Sequence, residues 1–321
     1  MTNLVDAASL VGQDRRTLNG ANFLALVSGA DDLDAGAFRR WVRQQPVPII
    51  GVKGSQQDAV EDEFDLLVDS PGRVEELGRI IDLRPKASAV LVQITRATGE
   101  MATSDALVLE SLGYGTLQGG NEFQDWLTRK EHHASREVDS PVLLERGGSV
   151  LRIRLASPEN RNALSAAMRD GLTDAFQLVG LDDTIEQVYV SGEGPCFSAG
   201  GDLSEFGTMK DLSEAHRIRQ LRMPARFLAS EAQRYTFELH GACIGAGIEL
   251  PAFAHRVRAK PGTWFQLPEV SMGLIPGAGG CVSIPRRIGR QRMNELAISG
   301  RKLSADEALE WGLIDEIVEE V

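Results

Sequence analysis

From Val142 onward the apolar residues change period again and again. LLERGGSVLRIRLAS alternates apolar and polar positions around Gly147-Gly148, which predicts a β-hairpin. SPENRNALSAAMRDGLTDAFQLVGL shifts to helical spacing, with Ser165 placed to cap the helix. EQVYVSGEG is β-branched and ends in glycines, a strand closing on a turn. RYTFELHG predicts a further strand, running into the glycine-rich turn GACIGAG and then a helix over IELPAFAH. HRVRAKPGTWFQLPE gives another strand and turn, and RKLSADEALEWGLIDEIV an amphipathic helix followed by a short strand. Strands alternating with helices favour an α/β class with crossover connections.

Residues 1–140 are charged, moderately apolar and not low in complexity. Three islands echo the later chain in the same order. LALVSGADDLDAGAF resembles QVYVSGEGPCFSAGGDLSEF without its central loop. PVPIIGVKG and DLLVDSPG resemble YTFELHG and RVRAKPG, and VQITRATGEMATSDALVLESLG resembles ELAISGRKLSADEALEWG. An eroded internal duplication accounts for the order; chance similarity between α/β segments is the alternative.

At 321 residues and 42% apolar composition the chain supports a sizeable core. A net charge of −12 argues against nucleic acid, whose backbone demands clustered Lys and Arg. Cys196, Cys243 and Cys281 lie far apart without a CxxC pair, so buried thiols are expected rather than disulfides or zinc. The five histidines do not cluster at ligand spacing, and no metal is implied. The opening MTNLVDAASLVGQDRR lacks a basic stretch followed by an apolar one, and no apolar run approaches bilayer length. A soluble cytoplasmic protein without a membrane partner is the expectation.

Three elements carry chemistry. Small residues in PCFSAGGDL follow a strand end, so backbone amides there can approach a ligand; an ordinary tight loop has the same look. GACIGAGIEL presents amides at a helix start, without the third glycine of a dinucleotide site and without a GxSxG elbow. Glu249 and Glu269 supply carboxylates that could move protons at a held water, although either one alone reads more readily as a solvated side chain.

In this order the elements resemble the crotonase superfamily, the enoyl-CoA hydratase/isomerase family. FSAGGDL, HGACIGAGIEL and LPEVSMGLIPGAGG match its two oxyanion segments and its glutamate–glycine segment, and the likeness runs from Pro141 to Val321. The resemblance implies a crotonase-like ββα spiral with an N-terminal α/β extension, divided as 1–140 (a degenerate crotonase-like region) and 141–321 (the catalytic core). It implies an oxyanion hole made by the N–H groups of Ala199 and Ala246, with Glu249 taking a proton from water and Glu269 delivering one to C2 of an enoyl-CoA. Ser198, Gly200, Asp202, Leu203, Phe206, Gly245, Pro276 and Gly277 fall along the substrate. Possession of both glutamates favours hydration; isomerisation, or a non-catalytic acyl-CoA-binding or assembly role, is the alternative. Coenzyme A enters as part of the substrate, no cofactor is held permanently, and a homotrimer or dimer of trimers is implied.

Two further segments bear on the comparison with the family. His216, Arg217, Arg219 and Arg222 read as CoA-phosphate contacts or as a solvated face, the latter being favoured. Typical members also continue through several helices beyond the point matched by Ile314–Val318. ALVLESLGYGTLQGGNEFQDW, at 106–126, resembles that missing segment. A rearranged chain is therefore expected, in which the segment near 103–130 takes the place of the lost helices in cis or on a neighbouring subunit.

Overall fold

The structure is a computed structural model that describes residues 5–6, 21–27, 34–54, 60–131 and 140–319. The N-terminal stretch read for a signal sequence lies almost wholly outside these residues, as do residues 28–33 of the first island.

The later part of the chain is built on a six-stranded sheet. Its hairpin, β5 (Val142–Gly147) and β6 (Val150–Leu155), is antiparallel as expected, but Gly147 stays in the strand opposite Val150 and the turn falls on Gly148-Ser149, one residue later than the two glycines suggest. Helix α6 (Ala166–Leu181) follows, and Ser165 caps it by accepting from Met168 N–H at 3.3 Å. Strands β7 (Gln187–Gly192), β8 (Tyr235–Leu239), β10 (Arg256–Ala259) and β13 (Glu316–Ile317) extend the sheet in parallel from β6. A second sheet lies alongside: β9 (Ala242–Ile244) pairs in parallel with β11 (Trp264–Gln266), and β12 (Leu303–Ser304) closes the far edge. The successive pairs β8–β9 and β10–β11 each place one strand in either sheet, in keeping with the ββα spiral that the resemblance implies.

One expected helix is resized. IELPAFAH does not form a continuous helix: α9 spans only Ala246–Glu249, and a separate 3₁₀ turn covers Pro251–Phe253. Pro251 has no N–H to donate, so the α ladder cannot run through it. The turn before it also holds a strand, since Ala242–Ile244 is β9.

The N-terminal half carries a parallel sheet of order β1-β2-β3-β4, formed by Val5–Asp6, Leu24–Val27, Ile49–Val52 and Leu66–Val68. Its last three strands fall in the islands that echo β7, β8 and β10, and they repeat the order and direction of those strands. Helix α1 (Ala35–Gln44) links β2 to β3, and four helices follow the sheet: α2 (Pro71–Leu83), α3 (Pro85–Thr98), α4 (Thr103–Gln118) and α5 (Asn121–Arg129).

These helices pack on the later half of the same chain. Helices α10 (Gly280–Ile288) and α11 (Arg290–Ser299) lie against α2, α3, α4 and β4. One continuous core contains Leu77, Leu91, Val92 and Phe123 from the first half with Val282, Met293 and Leu296 from the second. A buried charge network joins the halves: Asp65 accepts from Arg96 Nε and Arg290 Nη1, each at 2.8 Å, and from Ile49 N–H. Asn294 extends it, donating to the Asp65 carbonyl and accepting from Thr95. All three cysteines are buried free thiols.

Candidate active site

The topology explains why three segments far apart in sequence converge. Ser198 bridges Cys243 in parallel, which adds a short third line beside β9 and β11. Ala199, Ala246 and Glu269 therefore sit just beyond the C-terminal ends of neighbouring parallel segments, about 5 Å from one to the next, where open α/β sheets place their ligands. The first two segments touch closely. A Cβ on Gly200 would fall 2.6 Å from the Ile244 carbonyl oxygen, and one on Gly247 would fall 2.7 Å from that of Ser198.

Gly245 forms the corner. Its φ of +50° favours glycine, and its N–H donates to the Gln266 carbonyl at 2.9 Å. A Cβ there would lie 2.5 Å from Glu269 Oε1 and 3.6 Å from Glu249 Oε1, so the two carboxyl groups meet over this glycine. Gly245→Ala is expected to cost about 1–3 kcal/mol through backbone conformation alone, because φ +50° with ψ −120° lies outside the left-handed helical well, and to push Glu269 out of position. Thermal unfolding and a structure of the variant check both effects.

The two carboxyls differ in environment. Glu249 is only 2% exposed, and its Oε2 accepts from the N–H groups of Ala278 (2.7 Å) and Gly280 (2.9 Å). Burial raises its pKa to about 7, against the lowering effect of those amides. Glu269 is half-buried as a residue, but its Oε2 is buried without a hydrogen-bond partner among the described residues. Burial and then the Glu249 charge push its carboxyl well above the ordinary range. The pair is poised for one ionised and one protonated member.

The two expected amide donors are not equivalent. Ala246 opens α9, and its N–H makes no hydrogen bond among the described residues. The Ala199 N–H instead donates to the Arg161 carbonyl at 2.9 Å. Arg161 and Asn162 hold φ of 51° and 52°, a left-handed pair of non-glycine residues that presents this carbonyl.

Several residues expected along the substrate spend their side chains on the loop itself. Ser198 Oγ donates to the Asn162 carbonyl at 2.8 Å and accepts from Gly200 N–H. Asp202 accepts from Asn160 Nδ2 and from the Ser204 N–H and hydroxyl. Phe206 lies against Gly201 and Trp126, while Lys130 Nζ donates to the carbonyls of Leu203 and Phe206. Pro276 packs beside Gly280, and Gly277 lies directly under the Tyr114 ring.

Tyr114 belongs to α4, as does Glu110, and neither appears among the expected site residues. Glu110 is 2% exposed; its Oε1 accepts from Gly279 N–H (2.7 Å) and its Oε2 from Cys281 N–H (2.8 Å). Burial, then repulsion from Glu249, raises its carboxyl well above the ordinary range. Burial pushes the Tyr114 phenol above its ordinary range. Both residues fall within ESLGYGTLQ, so the motif was visible while its chemistry was not.

Helix α4 also corrects the favoured reading of α7 (Leu212–Arg222) as a wholly solvated face. His216 Nδ1 lies 2.9 Å from Ser111 Oγ, and Arg219 donates to Ser111 and Gln118 while covering the Tyr114 ring at 5.0 Å. Arg217 and Arg222 do face outward, paired with Glu214 and Asp174.

Residues 145–321 match the family model described as "Enoyl-CoA hydratase/isomerase". The mouse mitochondrial Delta(3,5)-Delta(2,4)-dienoyl-CoA isomerase is 33% identical over 53% of this chain and 56% of its own length. The 2,3-dehydroadipyl-CoA hydratase of Escherichia coli is 30% identical over 56% of this chain and 69% of its own. A crystal structure of an enoyl-CoA hydratase from Thermoplasma volcanium aligns with a TM-score of 0.52 at 34% identity, over 57% of this chain and 73% of that one. The chain thus spans little more than half the length of the mouse enzyme.

Proposed function

The chain belongs to the enoyl-CoA hydratase/isomerase family, and from that premise we propose that it adds water across the 2,3 double bond of an acyl-CoA thioester. The observation that carries this reading is the meeting of Glu249 and Glu269 over Gly245 in environments that separate their protonation. Glu249, ionised, takes a proton from water as the hydroxyl adds to C3. Electron density moves to the thioester oxygen, which the Ala246 N–H stabilises. Glu269, protonated, delivers its proton to C2, and transfer from Glu249 resets the pair. The Ala199 N–H joins the oxyanion site by exchanging the Arg161 carbonyl for the thioester oxygen.

Loss of the conjugated thioester absorbance in a panel of 2-enoyl-CoAs tests the proposal directly. Isomerisation is the second reading, because relatives of similar identity carry isomerase names. Turnover confined to 3-enoyl-CoAs selects it and discards hydration. The homotrimer or dimer of trimers belongs to the same proposal, and sedimentation velocity measures it.

The pH dependence has a defined sign. Glu249, raised to about 7, gains base activity as pH rises through that value. Glu269, pushed well above the ordinary carboxyl range by burial and then by the Glu249 charge, loses activity as a donor when it ionises in turn. The kcat/KM profile is expected to be bell-shaped with its acidic limb near 7. An acidic limb in the ordinary carboxylate range of about 4–4.5 rejects Glu249 as the base.

A further inference from the structure

We propose that Glu110 is a positioning residue for Glu249, so that the N-terminal half completes the catalytic site. The inference rests on the reading of Glu249 as the base.

Helix α10 begins at Gly280, and the N–H groups at such an end have no acceptor within the helix. Two carboxylates share these amides in alternation. Glu249 takes Ala278 and Gly280; Glu110 takes Gly279 and Cys281. The four peptide units follow one another from Ala278 to Cys281, so an acid that holds the Gly279 and Cys281 N–H groups restrains the chain that carries the Ala278 and Gly280 N–H groups. The fit is tight, because a Cβ on Gly280 would stand 2.6 Å from Glu249 Cγ. The positive end of the helix favours both acids, although burial and mutual repulsion oppose ionising the two together. A purely structural strut would also satisfy buried amides, but Glu110 has a second property. It borders a 320 Å³ cleft between α4 and α7, lined in part by Leu107, Arg219, Met223 and Arg226. A small carboxylate can enter there and replace a deleted side chain.

The test uses the full chain and a 2-enoyl-CoA turned over by the unaltered protein. Glu110→Ala is expected to lower kcat about 100-fold, the scale of a small misplacement of a reacting group, with KM nearly unchanged. Formate or acetate should restore much of the loss. Glu110→Gln should be as slow but resistant to rescue, because it fills the space and turns an NH₂ donor toward an N–H donor. Glu110→Asp, which keeps the acceptors, should turn over faster than Glu110→Ala and slower than the unaltered protein, and serves as the test if the alanine variant fails to fold. Unchanged kcat in Glu110→Ala overturns the proposal. So does a slow Glu110→Ala with a lower melting temperature and no rescue, which marks a strut. If the unaltered protein turns over no enoyl-CoA, the hydratase reading fails while Glu110 remains testable by amide hydrogen exchange at residues 278–281. Faster exchange in Glu110→Ala, slowed again by formate, supports the positioning role; exchange that formate does not alter overturns it.

Discussion

Glu249→Gln and Glu269→Gln are each expected to lower kcat for hydration by about 10²–10⁴-fold, the usual contribution of a positioned acid or base. Both substitutions suit the geometry. The Ala278 and Gly280 N–H groups demand an acceptor, so the amide oxygen of the glutamine introduced by Glu249→Gln should take the place of Oε2. The fold then stays intact while the base is lost. Glu269 Oε2 makes no hydrogen bond among the described residues, so an amide there forfeits none of those shown and tests the proton donor. The double variant should lose little more than the slower single one, because groups that act as a unit are not additive. Steady-state kinetics on a 2-enoyl-CoA decide the matter. Full turnover in either single variant removes that residue from the mechanism.

Deleting residues 1–135 is expected to leave an insoluble or inactive remainder. Helices α10 and α11 would lose the cover of α2–α4, and Val282, Met293 and Leu296 share one core with Leu91 and Val92. Each large apolar side chain returned to water costs about 1.5–3 kcal/mol, so five of them together match the roughly 5–15 kcal/mol that holds a whole domain folded. Arg290 would also lose Asp65, its buried counter-charge. Soluble yield and turnover of the truncated chain are the measurements; a soluble, fully active core sinks the argument. Supplying residues 1–135 on a separate chain should recover part of both.

What could be seen in the sequence follows the range of the interaction behind it. The hairpin over 142–155, the Ser165 cap and the strands over 187–192 and 235–239 depend on neighbours in the chain, so period and turn chemistry reveal them. The meeting of Glu249 with Glu269 came from the family resemblance, because pairing of β9 with β11, not local pattern, sets their distance. Side-chain roles were harder. Ser198 and Asp202 carry substrate-facing residue types, but their hydrogen bonds turn inward and shape the loop. Arg219 has the pattern of a solvated helix face because nothing within α7 reveals that α4 lies across it. Glu110 is the extreme case, since its acceptors serve amides 169 and 171 residues away.

That separation has a consequence for biosynthesis. The half made first holds helices whose partners, Cys281 and Asn294, are translated 171 to 199 residues later. At about 5–20 residues per second, α3 and α4 wait roughly 10–40 s with an apolar face uncovered. Over that interval the nascent chain depends on slow self-association or on a chaperone, and the order of its segments sets how long the exposure lasts.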